Sequence, residues 1–587
     1  MSGDLLEELS PDGRWFAGLK DYNLSLRSTY DGRSVQITTD GIEDYQWGDV
    51  GWEDETRWAR WSPDGFKLAV KKVDIRGVPK IPVVHWLKPT VEVEWVPYPQ
   101  AGGSVPQTEL YVVDIRSKRQ VRVDTGEELD QNLFILEWRP DGSELLFVRL
   151  NREYKRLDLM AADSSIGAAR VILTETRKTF VRHPPWGRPL GFTLLEDGKR
   201  FIWASERHGW EHLYLYSIDG TLIRRLTEGT FPIVKVVAVD EKGGWVYLTA
   251  HGDRQRPYDT HLYQVNLEGK DFKRLTEAPG QHESQFSPSK QFFLDRHSSL
   301  DRPPLVEVRR ADGKLLQTLA RANIDALKEL GWKPPEEFVV KAADGVTDLY
   351  GILFKPYDFD PNKKYPVIER IYAGPQIAYV HRRFTDVGDP NLYALAQLGF
   401  IIFMVDGRGT PERGKAFQDV GYGNFGRHEI PDHVAALKQV AATRPYMDLS
   451  RVGIFGHSWG GYFAIRALLL APDVYHVGVA SAPAVGEGME AYIEPYMGLP
   501  QKNKEGYAYL SNLPLAGNLK GKLLLIHGTS DISVSFSHTM KMVEALIRVG
   551  KPYELVVLPE IPHGFVGTSD RYWRDAIRRY FQEHLKP

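Results

Sequence analysis

The hexapeptide Gly456-His457-Ser458-Trp459-Gly460-Gly461 holds a serine at the G-x-S-x-G spacing of a nucleophile elbow. Before it, Arg451-Val452-Gly453-Ile454-Phe455 reads as a buried parallel strand. After it, Tyr462-Phe463-Ala464-Ile465-Arg466-Ala467-Leu468-Leu469 reads as a helix. So tight a turn puts the serine in strained backbone angles, and flanking glycines keep the neighbouring backbones from clashing. The hydroxyl of Ser458 is then held at the tip of the turn, facing N–H groups of the helix start.

A serine hydroxyl attacks an acyl carbon only when a base takes its proton, and the base needs a carboxylate to orient it. In this setting the partners follow in the order Ser, Asp, His, on loops after later strands. The strand Leu523-Leu524-Leu525-Ile526 runs into His527-Gly528-Thr529-Ser530-Asp531, and the strand ending at Leu558 runs into Pro559-Glu560-Ile561-Pro562-His563. We expect His563 to be the general base and acid and Asp531 its orienter, with Glu560 as the alternative carboxylate. His457 adjoins Ser458 and cannot easily reach its hydroxyl, and His527 reads as a satisfied structural histidine. For the oxyanion, one donor is the backbone N–H of Trp459. A second must come from the loop after an early strand, where Tyr372 of Ile371-Tyr372-Ala373-Gly374-Pro375 offers a phenolic O–H. No cofactor and no metal are expected.

Two kinds of segment position these residues. Through about residue 330 the chain repeats one phrase, a turn followed by a strand of alternating large apolar residues. The turns are Ser10-Pro11-Asp12-Gly13, Ser62-Pro63-Asp64-Gly65, Arg139-Pro140-Asp141-Gly142, Glu196-Asp197-Gly198-Lys199, Glu241-Lys242-Gly243-Gly244 and Ser287-Pro288-Ser289-Lys290. A second phrase (His212-Leu213-Tyr214, His261-Leu262-Tyr263) and a third (Arg225-Leu226-Thr227, Arg274-Leu275-Thr276) follow in order. The last starts lie about 45 residues apart, the length of a four-stranded propeller blade. Six units are expected, with 79–106, rich in proline and aromatics, as an insertion or an elongated hairpin. From about residue 331, apolar strands such as Phe400-Ile401-Ile402-Phe403-Met404-Val405 alternate with helical runs, as in a parallel sheet covered on both faces. The expected fold is thus β plus α/β: an N-terminal β-propeller over 1–330, then a C-terminal α/β-hydrolase domain over 331–587.

Composition narrows the function. The formal charge is −3 with basic residues dispersed, which argues against nucleic acid as a partner. No apolar run is long enough to span a bilayer, so no membrane partner is expected. There is no cysteine and hence no disulfide or thiolate chemistry. The first residues lack a basic, apolar leader. A cytoplasmic location is expected, with the periplasm open if the N-terminus is truncated.

Ser458, Asp531 and His563 in this order, Tyr372-Ala373-Gly374-Pro375 and the propeller together resemble the prolyl oligopeptidase family, in particular its dipeptidyl peptidase IV branch. Val96-Pro97-Tyr98-Pro99-Gln100-Ala101-Gly102, Val405-Asp406-Gly407-Arg408-Gly409-Thr410 and Glu494-Pro495-Tyr496-Met497-Gly498-Leu499-Pro500 carry the likeness. The resemblance implies release of N-terminal dipeptides ending in proline or alanine, Tyr372 as the second oxyanion donor, a propeller cap and a homodimer. It also implies an apolar pocket with Trp459, Tyr492 and Val534 as walls, although Val485 and Gly488 replace aromatics and Ser533 replaces an asparagine. The branch's amine-binding glutamate pair is out of register here, leaving Asp49, Glu53 and Glu55 as the acids expected to take its place. Six units are one or two fewer than that branch carries, so an open cap or a truncated chain is expected. Weaker peptide recognition would favour a serine esterase or broad acyl hydrolase. A silent propeller that only binds partners is the third reading, against which the full triad argues.

Overall fold

The computed structural model describes residues 7–48, 58–181, 191–384 and 390–587. Six antiparallel sheets follow one another through the N-terminal half. The third is typical, with Gln131–Trp138, Glu144–Asn151, Arg156–Asp163 and Ala169–Thr176 paired in sequence order. Each repeated turn lies between the first two strands of its sheet, apart from the second sheet's extra pairing. At Ser62–Gly65 the reason is local. Asp64 Oδ1 accepts from Ser62 Oγ at 2.6 Å and from the Phe66 N–H at 3.0 Å, while Gly65 takes φ +71°. The later phrases also have a physical basis. The threonine hydroxyl just after the fourth strand accepts the N–H of the third-strand leucine, at 3.0 Å for both Thr227–Leu213 and Thr276–Leu262.

No sheet buries both faces alone. Phe134, Leu146 and Val148 of the third sheet pack with Phe201, Trp203 and Tyr214 of the fourth, and Ile202 and Leu213 of the fourth pack with Val246 and Leu248 of the fifth. This neighbour stacking is what a propeller requires. Within the second sheet, between Lys67–Asp74 and Gln107–Asp114, the chain leaves as an antiparallel hairpin, Lys80–His85 against Glu92–Pro97. The 79–106 segment is therefore an elongated arm.

In the C-terminal half, eight strands form one sheet in the order Glu336–Lys341, Asp348–Phe354, Ile401–Val405, Tyr365–Arg370, Met447–His457, Val477–Ser481, Lys522–Gly528, Glu554–Leu558. The first two run antiparallel to their neighbours, and the other pairs are parallel. Ile401, Phe403 and Val405 enter one core and Ile402 and Met404 the other, so both faces are covered. Helices Glu429–Ala442 and Trp459–Leu470 pack on the first face, and Gly567–Leu585 packs on the second. No helix among the described residues is long and apolar enough to cross a membrane.

Candidate active site

Ser458 stands between strand Met447–His457 and helix Trp459–Leu470 with φ 60° and ψ −119°, the strained geometry of an elbow. Two glycines make the turn possible. A Cβ on Gly456 would lie 2.3 Å from the Gly460 carbonyl carbon. One on Gly460 would lie 2.3 Å from the Ile371 oxygen and 3.3 Å from the Tyr372 Cα. The second contact brings the Tyr372 backbone against the start of the nucleophile helix.

Asp531 and His563 follow the ends of the two strands beyond Val477–Ser481. His563 Nδ1 meets Asp531 Oδ2 at 2.7 Å. A nitrogen facing a carboxylate carries the hydrogen, so the His563 Nε2 lone pair is left free to take a proton. The carboxylate is held from four directions. Ser533 and Val534 donate backbone N–H groups to Oδ1 at 3.0 and 2.8 Å, and His527 Nε2 reaches Oδ2 at 3.1 Å. Burial alone would raise its pKa, but the two histidine hydrogen bonds and their charges prevail and hold the carboxyl well below the usual range. Asp531 thus stays ionised beside His563.

His527 is fully buried and satisfied, with Nδ1 at 2.7 Å from Thr539 Oγ1 and Nε2 shared between Asp531 and the Val534 carbonyl. Besides being structural, it orients the carboxylate, which the sequence reading missed. Glu560 is occupied elsewhere, its Oε1 accepting the Leu87 N–H at 2.8 Å. The ring of His457 packs 4.8 Å from that of His563. Burial, with His563 beside it, pushes the His457 imidazole down to about 3, so it packs behind the base in its neutral form.

Tyr372 is half-buried and stacks on Tyr379 at 4.8 Å. Gln376 Nε2 donates to its oxygen at 2.9 Å, which leaves the phenolic hydrogen available. Burial raises the phenol well above its ordinary value, so it remains a donor. Asp406 accepts the Tyr379 and Val380 N–H groups at 2.8 and 3.0 Å, tying down this loop, so the Asp406-Gly407-Arg408 turn is scaffold. Trp459 is buried, edge-on to Tyr492 at 6.2 Å, and Val534 and Val485 are buried in the same core. Asp49, Glu53 and Glu55 lie outside the described residues.

Among the described residues, Asp295, His297 and Glu307 bring ligand atoms within 4.8 Å of one another. Arg309 already supplies a cation there, at 2.6 Å from Glu307 and 3.6 Å from Asp295. The cluster therefore reads as a buried ion-pair network.

Residues 3–304 match the model of the dipeptidyl peptidase IV N-terminal region, and residues 387–587 match that of the prolyl oligopeptidase family. Human dipeptidyl peptidase 8 is 28% identical over 90% of this chain and 67% of its own length. Dipeptidyl-aminopeptidase B of Aspergillus niger is 29% identical over 94% and 65%. The chain thus spans about two thirds of these curated relatives. The crystal structure of Porphyromonas gingivalis dipeptidyl peptidase 4 superposes with a TM-score of 0.90 at 27% identity, covering 99% of this chain and 82% of that one.

Proposed function

The chain belongs to the prolyl oligopeptidase family, in its dipeptidyl peptidase IV branch, and from that premise we propose that it is a serine peptidase releasing dipeptides from peptide N-termini. The observation that carries this reading is the 2.7 Å contact of His563 with Asp531, on loops at the same sheet edge as the strained Ser458. In this reading residues 1–330 form a cap and 331–587 the catalytic unit.

The roles follow from the geometry. His563 Nε2 takes the Ser458 proton as the oxygen attacks the carbonyl of the second residue. The developing imidazolium is stabilised by Asp531, which stays an anion. The Trp459 N–H and the Tyr372 O–H stabilise the tetrahedral oxyanion. His563 then protonates the departing amine, and the acyl-enzyme is hydrolysed by a water that His563 activates in turn. Trp459, Tyr492 and Val534 wall an apolar pocket suited to a compact side chain such as proline or alanine. The ester-hydrolase alternative has no geometric feature of its own to support it.

The test sets Gly-Pro-, Ala-Ala- and N-acetyl-Ala-p-nitroanilides beside p-nitrophenyl butyrate. Cleavage of the free-amine dipeptides, with the acetylated substrate refused, is expected. Ester turnover with little amide turnover would overturn the peptidase reading.

A further inference from the structure

The arm between the strands of the second sheet reaches the catalytic domain at Tyr98. This tyrosine belongs to the N-terminal half, yet only 2% of it is exposed. Backbone pairing locks the segment that carries it. Ala491 donates to the Pro99 oxygen and Ala101 to the Met489 oxygen, each at 2.9 Å, and Gln100 bridges Glu490. The phenol ends between two catalytic loops. Its hydroxyl faces the buried carboxyl of Glu490, next to the pocket residue Tyr492. Its oxygen accepts the N–H of Ser535 at 3.4 Å. Ser535 directly follows Val534, which bonds both Asp531 and His527.

We propose that Tyr98 is a positioning residue of the catalytic machinery, its hydroxyl tying the pocket wall at Glu490 to the loop that carries Asp531. The inference rests on the reading of Asp531 as the orienter of His563. A phenolic hydroxyl has lone pairs to accept the Ser535 N–H and one hydrogen to offer the carboxyl it faces. Burial, with the Asp531 charge nearby, pushes the Glu490 carboxyl well up, so it sits there neutral and leaves Asp531 as the anion of the pair. Removing the hydroxyl strands the Ser535 N–H and takes from the buried Glu490 carboxyl the polar group it faces, in a region where unmade hydrogen bonds are costly. The Asp531 loop then loses one of its supports.

The experiment uses the full chain and two readouts, the rate of Ser458 labelling by a fluorophosphonate and the hydrolysis of Gly-Pro-p-nitroanilide. Tyr98→Phe and Glu490→Leu should each lower kcat and the labelling rate by about tenfold, with KM held within about twofold. The double variant should be no slower than the worse single one, because both remove the same link. Glu490→Gln should lose less than Glu490→Leu, since a carboxamide keeps a polar group facing Tyr98. Wild-type kcat and labelling in Tyr98→Phe, whatever its Tm, would overturn the proposal, as would losses that multiply in the double variant. Should Tyr98→Phe fail to fold, equal losses in Glu490→Gln and Glu490→Leu would overturn it and a smaller loss in Glu490→Gln than in Glu490→Leu would support it. A wild type that labels but cleaves no dipeptide defeats the peptidase reading alone, because labelling still decides the role of Tyr98. A wild type that does not label defeats both.

Discussion

At the scale of residues, the Asp531–His563 pair is held from its far side. Asp531 receives two backbone N–H groups and two imidazoles, and His563 is backed by the neutral His457. Ser458→Ala or His563→Ala should abolish nearly all turnover of a dipeptide p-nitroanilide. Tyr372→Phe should cost on the order of 10²-fold in kcat, because the lost O–H acts mainly on the transition state. A kcat equal to wild type in Tyr372→Phe would remove the tyrosine from the oxyanion hole. The pairing of Asp531 with His563 was legible in the sequence because each sits beside a strand end with turn chemistry. His527 was read as structural, which its hydrogen bonds bear out, but its second contact, to Asp531, depends on a side-chain direction that no local pattern encodes.

At the scale of elements, the tight elbow is bought with two glycines. Gly460→Ala would press a methyl into the Ile371 carbonyl at 2.3 Å, so the Tyr372 loop must retreat. Its kcat should fall at least as far as in Tyr372→Phe, by about 10²-fold or more, with a lower Tm measured on the same sample. Helix Glu429–Ala442 offers a test of a different kind. Its first residue is fully buried, with Oε1 unpartnered among the described residues, and burial pushes the carboxyl up to about 7 from 4.5. A raised carboxyl favours the fold in its protonated form. The resulting stability is complete below about 4.5 and lost as the pH rises to about 7. Over that window the wild type should lose stability relative to Glu429→Gln, by a few kcal/mol at most, in urea midpoints taken at pH 5 and pH 8. No difference in slope between the two proteins would contradict a neutral Glu429.

At the scale of the whole molecule, several polar contacts join the two halves, and one set of them gathers on a buried carboxylate. Arg152 of the third sheet makes two bonds of 2.9 Å to Glu494, and the Gly102 N–H adds a third at 2.7 Å. Glu494 is almost fully buried, so Arg152→Ala would leave its carboxylate without a cation in a dry site. Such a loss costs on the order of 3 kcal/mol, and the variant should show a lower urea midpoint and earlier proteolytic cutting between the halves. A midpoint unchanged from wild type would mean that the ion pair contributes nothing net.

By itself the sequence determined the order of the architecture. Repeated turns, the apolar runs of a two-faced sheet and G-x-S-x-G are local patterns, each set by the backbone and its near neighbours, and so each could be read along the chain. The recurring threonine and the His-Leu-Tyr phrase were legible as a repeat before their shared hydrogen bond was visible. The tertiary structure shows Asp531, the expected carboxylate, facing His563, and turns Glu560, the alternative, to the Leu87 N–H, a side-chain direction that no local pattern encodes. It also decided where the 79–106 arm goes. Proline and aromatics marked that segment as an insertion, but its partners at Glu490 and Ser535 lie some four hundred residues away, and contacts over such separations come from the packing of the halves.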